Sequence, residues 1–298
     1  MKVLVTGAQG LVGTRLVSYL RAKGHDVSPL TRKKTSPECI VWQPEEGKIE
    51  RDKMEGFGAV VHLAGDNIAS GRWTEGKKAS IRDSRLKGTE LLCKTIASLE
   101  RQPEVIVSAS AIGYYGDRCD EILTEGSEKG SGFLADLCRD WEAATAPARE
   151  KSIRVALLRI GVVLSPDGGA LAKMLPPFLM GAGGPLGSGK QYMSWIGIDD
   201  LSAIINHIMT SSKLDGPINA VAPNPVTNSQ FSSALGAALS RPAFMPAPGF
   251  AVRMLLGEMA DELLLSSQRV QPKKLEESGF KFKNAEVAPL LKQLLRAG

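Results

Sequence analysis

Residues 1–13, MKVLVTGAQGLVG, place a short apolar run directly before three glycines spaced three residues apart. Residues 2–6 have the β-branched and apolar composition of a buried parallel strand. From Leu11 onward, apolar residues recur at helical spacing until Gly24, a residue type that commonly ends a helix. The stretch therefore predicts a strand, a tight turn and a helix in immediate succession.

The glycines of this turn indicate a dinucleotide-binding site. Glycine lets the backbone bend sharply and lets a pyrophosphate approach without a Cβ in the way. The helix that follows directs its free N–H groups and its positive end toward that pyrophosphate. An ordinary strand-to-helix turn is the alternative, but the strand and the helix that the motif requires are both predicted. The expected contacts come from the turn and the first helical turn: Gly7, Gly10, Leu11, Val12 and Gly13.

The end of the next predicted strand distinguishes between the two dinucleotides. That strand covers residues 25–30, and the sequence TRKK follows it as residues 31–34. A site for NAD usually has an acidic residue here to bind the ribose 2′-hydroxyl, whereas an arginine suits the 2′-phosphate of NADP. Asp26 lies at the beginning of the strand, and therefore at the opposite edge of the sheet. A solvated basic turn is the alternative; we predict NADP, with Thr31 and Arg32 as contacts.

The composition is that of a soluble globular protein, with 43% hydrophobic and 23% charged residues in a chain of 298. This length suits one large α/β domain, alone or with a smaller cap. The net charge of +5 is spread over small clusters, and no basic stripe or module for nucleic acid is present. Four scattered cysteines and three histidines argue against a structural zinc site.

The sequence also predicts where the protein is located and what it binds. A strand that begins at residue 2 leaves no room for a signal peptide, and no apolar run reaches membrane-spanning length. We therefore expect a cytosolic protein with reduced thiols. A small-molecule substrate is expected, and no nucleic acid, membrane or metal is predicted.

Alternating strands and helices predict an α/β fold, namely a Rossmann-like, doubly wound parallel sheet with helices on both faces. Beyond the first two strands, further strands are predicted at residues 59–63, 104–108 and 154–160, with helices at 79–99 and 133–151. The strand at 59–63 ends in the small residues of Leu63-Ala64-Gly65, which let a cofactor lie across the edge of the sheet. His62, inside this strand, is expected to be a hydrogen-bonded core residue.

The pattern changes after residue 164. We predict a nucleotide-binding domain from residues 1–164, to which 199–222 return as a helix and a strand. Residues 165–198 and 223–298 are expected to form a smaller, mostly helical substrate lobe.

A glycine-rich loop in this lobe nearly matches a phosphate-binding loop. Residues 184–191, GPLGSGKQ, carry Gln191 where a hydroxyl should bind Mg²⁺, and the strand and helix that should flank the motif are missing. We therefore expect the loop to line a substrate pocket, with Lys190 and Gln191 as polar contacts.

Two further groups of polar residues belong to the predicted cofactor edge. Ser110 and Tyr115 follow the strand at 104–108, in a segment that also contains Ser108 and Tyr114. Arg85 lies toward the start of the helix at 79–99; it is either a cofactor contact or a solvated charge.

These motifs together resemble the extended short-chain dehydrogenases/reductases, and most of all their atypical, epimerase-like branch. The resemblance rests on the glycine turn, the strand end at 63–65, the Ser-x-Ser…Tyr-Gly segment at 108–116 and Trp195-Ile-Gly-Ile-Asp-Asp. Residues 159–164 and 183–200 are similar to signatures of that branch, and the region from Met245 onward to its appended small domain.

The resemblance implies a Rossmann-like domain, an NADP cofactor and a substrate site between the sheet and the C-terminal lobe, where Trp195 joins Lys190 and Gln191. The cofactor residues that it implies are Gly7, Gly10, Gly13, Thr31, Arg32, Leu63, Ala64, Arg85 and Arg159, with Gly65 beside them.

One departure from this family concerns the chemistry. Typical members carry Tyr-x-x-x-Lys, in which the tyrosine is the acid/base and the lysine holds the nicotinamide ribose. This chain has no such pair, and alignment on Glu142 puts Leu134 and Cys138 at the two positions. Two hypotheses follow. Either the chain is an NADP-dependent oxidoreductase or epimerase that uses Ser110 and Tyr115 for catalysis, or it is a non-catalytic NADPH-binding sensor or regulator.

Overall fold

The computed structural model describes residues 1–34 and 36–296. Thr35 and the last two residues of the predicted C-terminal lobe lie outside the described residues. The strands, in chain order, are β1 (Lys2–Thr6), β2 (Asp26–Thr31), β3 (Ile40–Gln43), β4 (Lys48–Ile49), β5 (Ala59–His62), β6 (Val105–Ala111), β7 (Ile122–Leu123), β8 (Arg154–Ile160), β9 (Val162–Ser165), β10 (Tyr192–Met193), β11 (Trp195–Gly197), β12 (Gly216–Ala220), β13 (Val226–Thr227) and β14 (Arg269–Val270).

The helices, in the same order, are α1 (Leu11–Ala22), α2 (Glu75–Ala97), α3 (Phe133–Ala143), α4 (Ala146–Arg149), α5 (Gly169–Leu179), α6 (Ile198–Thr210), α7 (Asn228–Leu239), α8 (Gly249–Leu256), α9 (Glu258–Ala260), α10 (Lys273–Glu277) and α11 (Val287–Arg296). Short 3-10 turns occupy Pro44–Glu46, Arg51–Met54 and Ile112–Tyr115, and Asp261–Leu265 form one π-helical turn. No helix within these described residues is long and apolar enough to span a membrane.

The central sheet has the strand order β12-β8-β6-β5-β1-β2-β3-β4. All neighbours pair in parallel except β3 and β4, which are antiparallel. The chain builds outward from β1 through β2 and β3, then returns to the other side of β1 and builds through β5, β6, β8 and β12. The strand order thus reverses between β1 and β5, and a crevice at this point is where open α/β sheets bind ligands. The predicted doubly wound, Rossmann-like fold is confirmed.

The sheet is buried on both faces, which explains why its strands are apolar along their whole length. One face packs against α1 and α6, through residues such as Leu16 and Ile204. The other face packs against α2 and α4, through residues such as Leu92 and Ala148. The end of the chain joins the first of these cores, because Leu291 of α11 is buried there.

Three predicted boundaries differ from the structure. The helix predicted at 133–151 is divided into α3 and α4, because Pro147 has no N–H to continue the hydrogen-bond ladder. The helix predicted from Ala79 begins at Glu75, since the Thr74 side chain accepts a hydrogen bond from the Lys77 N–H and caps it there. Residues after Ile160 leave the sheet and pair as β9 with β11.

The C-terminal region is helical, as predicted, and two small sheets connect it to the rest of the chain. Strand β14 pairs with β7, which follows β6 in the chain, and β10 pairs with β13. The division into residues 1–164 with 199–222 and residues 165–198 with 223–298 stays a prediction.

Candidate functional site

The glycine turn after β1 is shaped by close backbone contacts. Gly7 has a φ of +66°, and a Cβ there would lie 2.8 Å from the carbonyl carbon of Leu63. A Cβ on Gly13 would overlap the Gly7 carbonyl group. Gly7 is therefore required by the packing of the turn against the end of β5, and Gly13 by the packing of α1 against the turn itself.

Gly10 is different, because the protein itself leaves room for a side chain there. A Cβ on Gly10 would meet only the Gly7 carbonyl oxygen, at 3.3 Å. Gly10 is the N-cap of α1 and no side chain caps this helix end. The N–H groups of the first helical turn, at Leu11, Val12 and Gly13, have no acceptor within the helix. The turn therefore presents donors and open space together.

Thr6 fixes the ends of β1 and β5 relative to each other. Its Oγ1 accepts hydrogen bonds from the backbone N–H groups of Leu63 (3.0 Å) and Ala64 (3.1 Å). A hydroxyl oxygen has two acceptor positions, so the Thr6 proton is donated to His62 Nδ1, 2.8 Å away.

This arrangement determines the protonation state of His62. Since Nδ1 accepts, Nε2 carries the proton and donates to Thr89 Oγ1 at 3.0 Å, which also accepts from Trp141 Nε1 at 2.9 Å. Burial lowers the pKa of His62 to about 4, with a smaller contribution from Arg85. His62 is thus a neutral, hydrogen-bonded core residue, which agrees with the sequence analysis.

The basic end of β2 faces solvent. Thr31 Oγ1 donates a hydrogen bond to the Lys33 carbonyl oxygen at 2.7 Å, which shapes the turn. Arg32 is exposed, and none of the residues that the structure describes forms an ion pair with it. The guanidinium is therefore available to an anion at this edge of the sheet.

Arg85 lies at the same edge, on the first half of α2, and is partly buried. Its Nη1 donates to the carbonyl oxygens of Asp66 (3.0 Å) and Ile81 (3.2 Å), and its Cζ lies 5.0 Å from the centre of the Trp141 ring. A Cβ on Gly65 would lie 3.3 Å from Arg85 Cζ, so glycine makes room for the guanidinium. Burial lowers the pKa of Arg85.

A closed hydrogen-bond network follows β6 and β8. Arg159 makes a two-pronged ion pair with Glu142, with both N···O distances at 2.9 Å. Ser110 Oγ donates to the same carboxylate at 2.7 Å. Burial by itself lowers the pKa of Arg159, but the hydrogen bonds and the charge of Glu142 outweigh it and raise that pKa.

Tyr115 continues this network from the other side of Arg159. Its hydroxyl accepts from Arg159 Nη1 at 3.0 Å and donates to Asn219 Oδ1 at 2.7 Å. The side chain of Tyr115 is 0% exposed, and burial raises its pKa although Arg159 opposes the shift. Tyr114 packs its ring 3.4 Å from Arg159 Cζ. The two residues predicted to be catalytic, Ser110 and Tyr115, thus belong to one network; their catalytic role stays a prediction.

Leu134 and Cys138 lie together beside the turn that follows β6. A Cβ on Gly113 would lie 3.2 Å from Leu134 Cβ and 3.8 Å from Cys138 Sγ. Burial raises the pKa of Cys138 to about 12, so its thiol is neutral. Neither side chain carries a charge.

The three predicted substrate residues differ in exposure and in what they bind. Lys190 is exposed, whereas Gln191 Nε2 donates to the carbonyl oxygens of Leu186 (3.0 Å) and Leu264 (3.2 Å). Trp195 is fully buried and its ring N–H donates to Asn224 at 3.1 Å. Gln191 and Trp195 therefore hold neighbouring backbone segments in this conformation, and the proposed substrate role of the three residues stays a prediction.

A cleft of about 260 Å³ lies between the turn after β6 and the C-terminal region. Gly113, Gly132 and Leu134 form one side, and the other side includes Leu265 and Glu262. The Glu262 carboxylate accepts hydrogen bonds from Phe133 N (2.9 Å) and Leu134 N (3.1 Å), and so caps α3.

The sequence analysis missed Glu262. One feature could have indicated an external cap, because α3 starts after Gly132 and lacks the Ser, Thr, Asp or Asn that normally caps a helix from its own N-cap position.

Fold and site define a Rossmann-like α/β protein with a nucleotide-type crevice and an adjoining cleft. Comparison with known proteins agrees. The model of the NAD dependent epimerase/dehydratase family matches residues 3–220, and a domain of unknown function, DUF1731, matches residues 247–294. The chain belongs to the NAD dependent epimerase/dehydratase family, and the resemblance inferred from the sequence is confirmed.

Individual relatives cover nearly the whole chain. Epimerase family protein Mb2239 of Mycobacterium bovis is 43% identical over 290 residues, which are 97% of this chain and 96% of that protein. The crystal structure of human epimerase family protein SDR39U1 with NADPH matches with a TM-score of 0.93 and 36% identity, and covers 99% of both chains. The UDP-glucose 4-epimerase of Thermus thermophilus in complex with NAD matches with a TM-score of 0.75 at 20% identity over 99% of both chains, which shows the shared fold alone.

Proposed function

We propose that this protein binds NADPH in the crevice between β1 and β5 and uses it in an oxidoreductase or epimerase reaction on a small carbonyl compound. One observation carries the proposal: the glycine turn leaves space and free N–H donors at the start of α1, and the neighbouring strand β2 ends in the exposed Arg32, with which none of the described residues forms an ion pair. The NADPH in the crystal structure of the human relative supports it. The cytosolic location predicted from the sequence is part of the same proposal.

The residues present fit such a cofactor. Gly10 leaves the space that a pyrophosphate needs, and the first N–H groups of α1 suit its charge. Thr31 and Arg32 would hold the 2′-phosphate, as a guanidinium binds phosphate through paired N–H donors. The rest of the cofactor would be bordered by Leu63, Ala64, Gly65, Arg85 and Arg159. When bound, NADPH supplies a hydride.

We expect side chains at the end of β6 and in the turn after it to supply the proton that the reaction needs. A carbonyl that accepts a hydride becomes an alkoxide and needs an acid within hydrogen-bond reach. Ser110 donates its proton to Glu142, so a substrate oxygen would have to compete for it. Tyr115 is wholly buried, and it would take part only if the cleft opened toward it. We propose Ser110 and Tyr115 for this step and exclude the neutral Cys138.

Cofactor preference tests the binding part. Arg32→Ala removes a charge-assisted hydrogen bond worth about 1.5–3 kcal/mol, so NADPH should bind about 10- to 100-fold more weakly by calorimetry, while NADH binding stays almost unchanged. Arg51→Ala, at an exposed arginine that precedes β5, is the matched control and should change neither. Equal losses for the two cofactors would contradict the role of Arg32.

Kinetics tests the chemical part. A panel of carbonyl compounds is offered to the NADPH-saturated protein, and Tyr115→Phe, Ser110→Ala and Cys138→Ala are compared on any substrate found. Loss of activity in the first two, and not in the third, is expected.

The alternative is a non-catalytic NADPH sensor or regulator. The uncharged Leu134 and Cys138 favour it, because they replace the acid/base pair that typical relatives use. NADPH binding without turnover of any compound in the panel would support the sensor.

A further inference from the structure

Arg85 is a cation without an anionic partner inside the site. Its Nη1 is satisfied by two carbonyl oxygens, but Nε and Nη2 make no hydrogen bond to any residue in the described ranges. Asp66, the carboxylate whose charge raises the pKa of Arg85 against the effect of burial, is engaged elsewhere, since its Oδ2 binds Lys77 Nζ at 2.7 Å and Ser80 Oγ at 3.0 Å.

Arg159, at the same edge of the sheet, differs from Arg85 in this respect. Arg159 is buried to 3% exposure, but Glu142 neutralises it through two hydrogen bonds. A partly buried cation with unused donors is costly unless a ligand or a counter-charge meets it. Arg85 therefore has spare capacity for an electronegative group that the protein does not supply.

The position of Arg85 indicates which part of a bound ligand it would contact. The guanidinium lies against Gly65, at the end of β5, and over Trp141 of α3. It is also close enough to the Cys138 thiol for each group to influence the pKa of the other. Cys138 in turn borders Gly113, which lines the cleft. The guanidinium thus lies between the crevice at β5 and the cleft beside α3.

We infer that Arg85 binds the nicotinamide-side ribose and its phosphate, and supplies from α2 the positive charge that α3 lacks at Cys138. This inference rests on the proposed function, because it needs NADPH in the crevice. It assigns Arg85 to the half of the cofactor next to the cleft, and Arg32 to the adenosine half. Arg85 acts as a binding and positioning residue.

The test compares two ligands. NADPH contains both halves, whereas adenosine 2′,5′-bisphosphate lacks the nicotinamide ribose and its phosphate. Arg85→Met should weaken NADPH about 10- to 100-fold and leave adenosine 2′,5′-bisphosphate within about twofold, whereas Arg32→Ala should weaken both. Arg82→Met, on the same helix but exposed and paired with Asp140, should change neither.

The outcomes separate the inference from the proposed function. If the unaltered protein binds neither ligand, the proposed function fails. If Arg85→Met weakens both ligands equally, or neither, the proposed function survives and the placement of Arg85 is wrong.

Two further variants distinguish charge from structure. Arg85→Lys should retain most of the NADPH affinity, because it keeps the cation. In the Arg85→Met background, Cys138→Lys should restore NADPH binding at least partly, whereas Cys138→Lys alone should lower the melting temperature, since it buries a second cation beside the first. The NADPH-induced rise in melting temperature reports binding in every variant that folds. If Cys138→Lys does not fold, the inference is tested by the comparison of NADPH with adenosine 2′,5′-bisphosphate and by Arg85→Lys. If Arg85→Lys loses as much NADPH affinity as Arg85→Met, the charge of Arg85 is not what binds the cofactor.

Discussion

The carboxyl edge of the sheet has two parts that differ in how fully the protein uses its own hydrogen-bonding groups. The open part comprises the glycine turn, the end of β2 and Arg85. Among the residues that the structure describes, none accepts the first N–H groups of α1 and none forms an ion pair with Arg32 or Arg85. The closed part comprises Ser110, Glu142, Arg159, Tyr115 and Asn219, which bind one another. Unused donors are tolerated where a ligand will meet them, and satisfied networks hold backbone in place. The open part is therefore suited to binding and the closed part to positioning.

The largest expected effect is in the closed part. Glu142→Gln removes the charge that neutralises the buried Arg159, so the free energy of unfolding should fall by about 3–5 kcal/mol in urea denaturation. Glu90→Gln, which breaks the exposed pair with Lys94, is the control and should cost less than about 1 kcal/mol. A loss below about 1 kcal/mol in Glu142→Gln would mean that the network does not stabilise the fold.

Lowering the pH should destabilise the fold through His62, which binds Thr6 at the paired ends of β1 and β5 beneath the open part. The folded-state pKa of His62, about 4, lies below the value of 6.5 that an exposed histidine has, so the unfolded chain takes up the proton first. The free energy of unfolding should therefore fall as the pH decreases from 6.5 to 4, by about 3 kcal/mol from this residue, and the contribution should be constant above pH 6.5.

The check is denaturation at a series of pH values. His62→Gln should be less stable at neutral pH but should lose much of the slope between pH 6.5 and 4. His207→Gln is the control: burial lowers the pKa of His207 too, but this side chain is less buried than His62, so the variant should keep most of that slope. An identical slope in His62→Gln and the unaltered protein would contradict a neutral His62.

A substitution at Gly10 should change cofactor affinity in the open part much more than it changes the stability of the fold. Gly10→Val fills the space that the protein leaves empty, so NADPH binding should weaken at least about 100-fold, or about 2.8 kcal/mol. The fold should lose no more than about 1 kcal/mol, since valine is a poor N-cap. Gly76→Val is the control, because a Cβ at that exposed position, which is remote from the glycine turn in sequence, would have nothing within 4 Å. Unchanged affinity in Gly10→Val would place the cofactor elsewhere.

The smallest effect is expected at Tyr115. Tyr115→Phe leaves Arg159 Nη1 and Asn219 Oδ1 without their partner, so the free energy of unfolding should fall by about 1–2 kcal/mol in thermal or urea denaturation. Tyr19→Phe is the control, as the Tyr19 hydroxyl makes no hydrogen bond to any residue that the structure describes. Equal stability of the two variants would show that the phenol contributes nothing to the closed part.

Local signals in the sequence indicate two features of the open part, the glycine turn and the basic end of β2, whereas the sequence analysis left Arg85 as either a cofactor contact or a solvated charge. Gly7, Gly10 and Gly13 lie within seven residues between a strand and a helix, so the geometry that they impose is local and visible in the sequence. The basic end of β2 was equally visible, because it directly follows a recognisable strand. The confirmed α/β fold rests on the same kind of evidence, a regular alternation of apolar strands and amphipathic helices.

The closed part could not be predicted in the same way. Glu142 and Arg159 are 17 positions apart, and Tyr115 and Asn219 are 104 positions apart, so nothing local shows that they meet. The partners of Trp195 and Gln191 were equally invisible in the sequence: Trp195 donates to Asn224 and Gln191 to Leu264, and their substrate role stays a prediction. The cap that Glu262 places on α3 spans 129 positions.

By itself, the sequence determined the alternation of strands and helices, the parallel sheet and the glycine turn at which we propose that a dinucleotide binds, because periodicity and glycine geometry act within a few residues. Only the tertiary structure decided which charges are neutralised. Arg85 and Arg159 lie near the same edge of the sheet. Arg159 forms an ion pair with Glu142, whereas none of the carboxylates that the structure describes forms one with Arg85. That difference arises from the packing of α2 and α3 on the sheet, since an ion pair forms only between groups that the fold brings within a few ångströms.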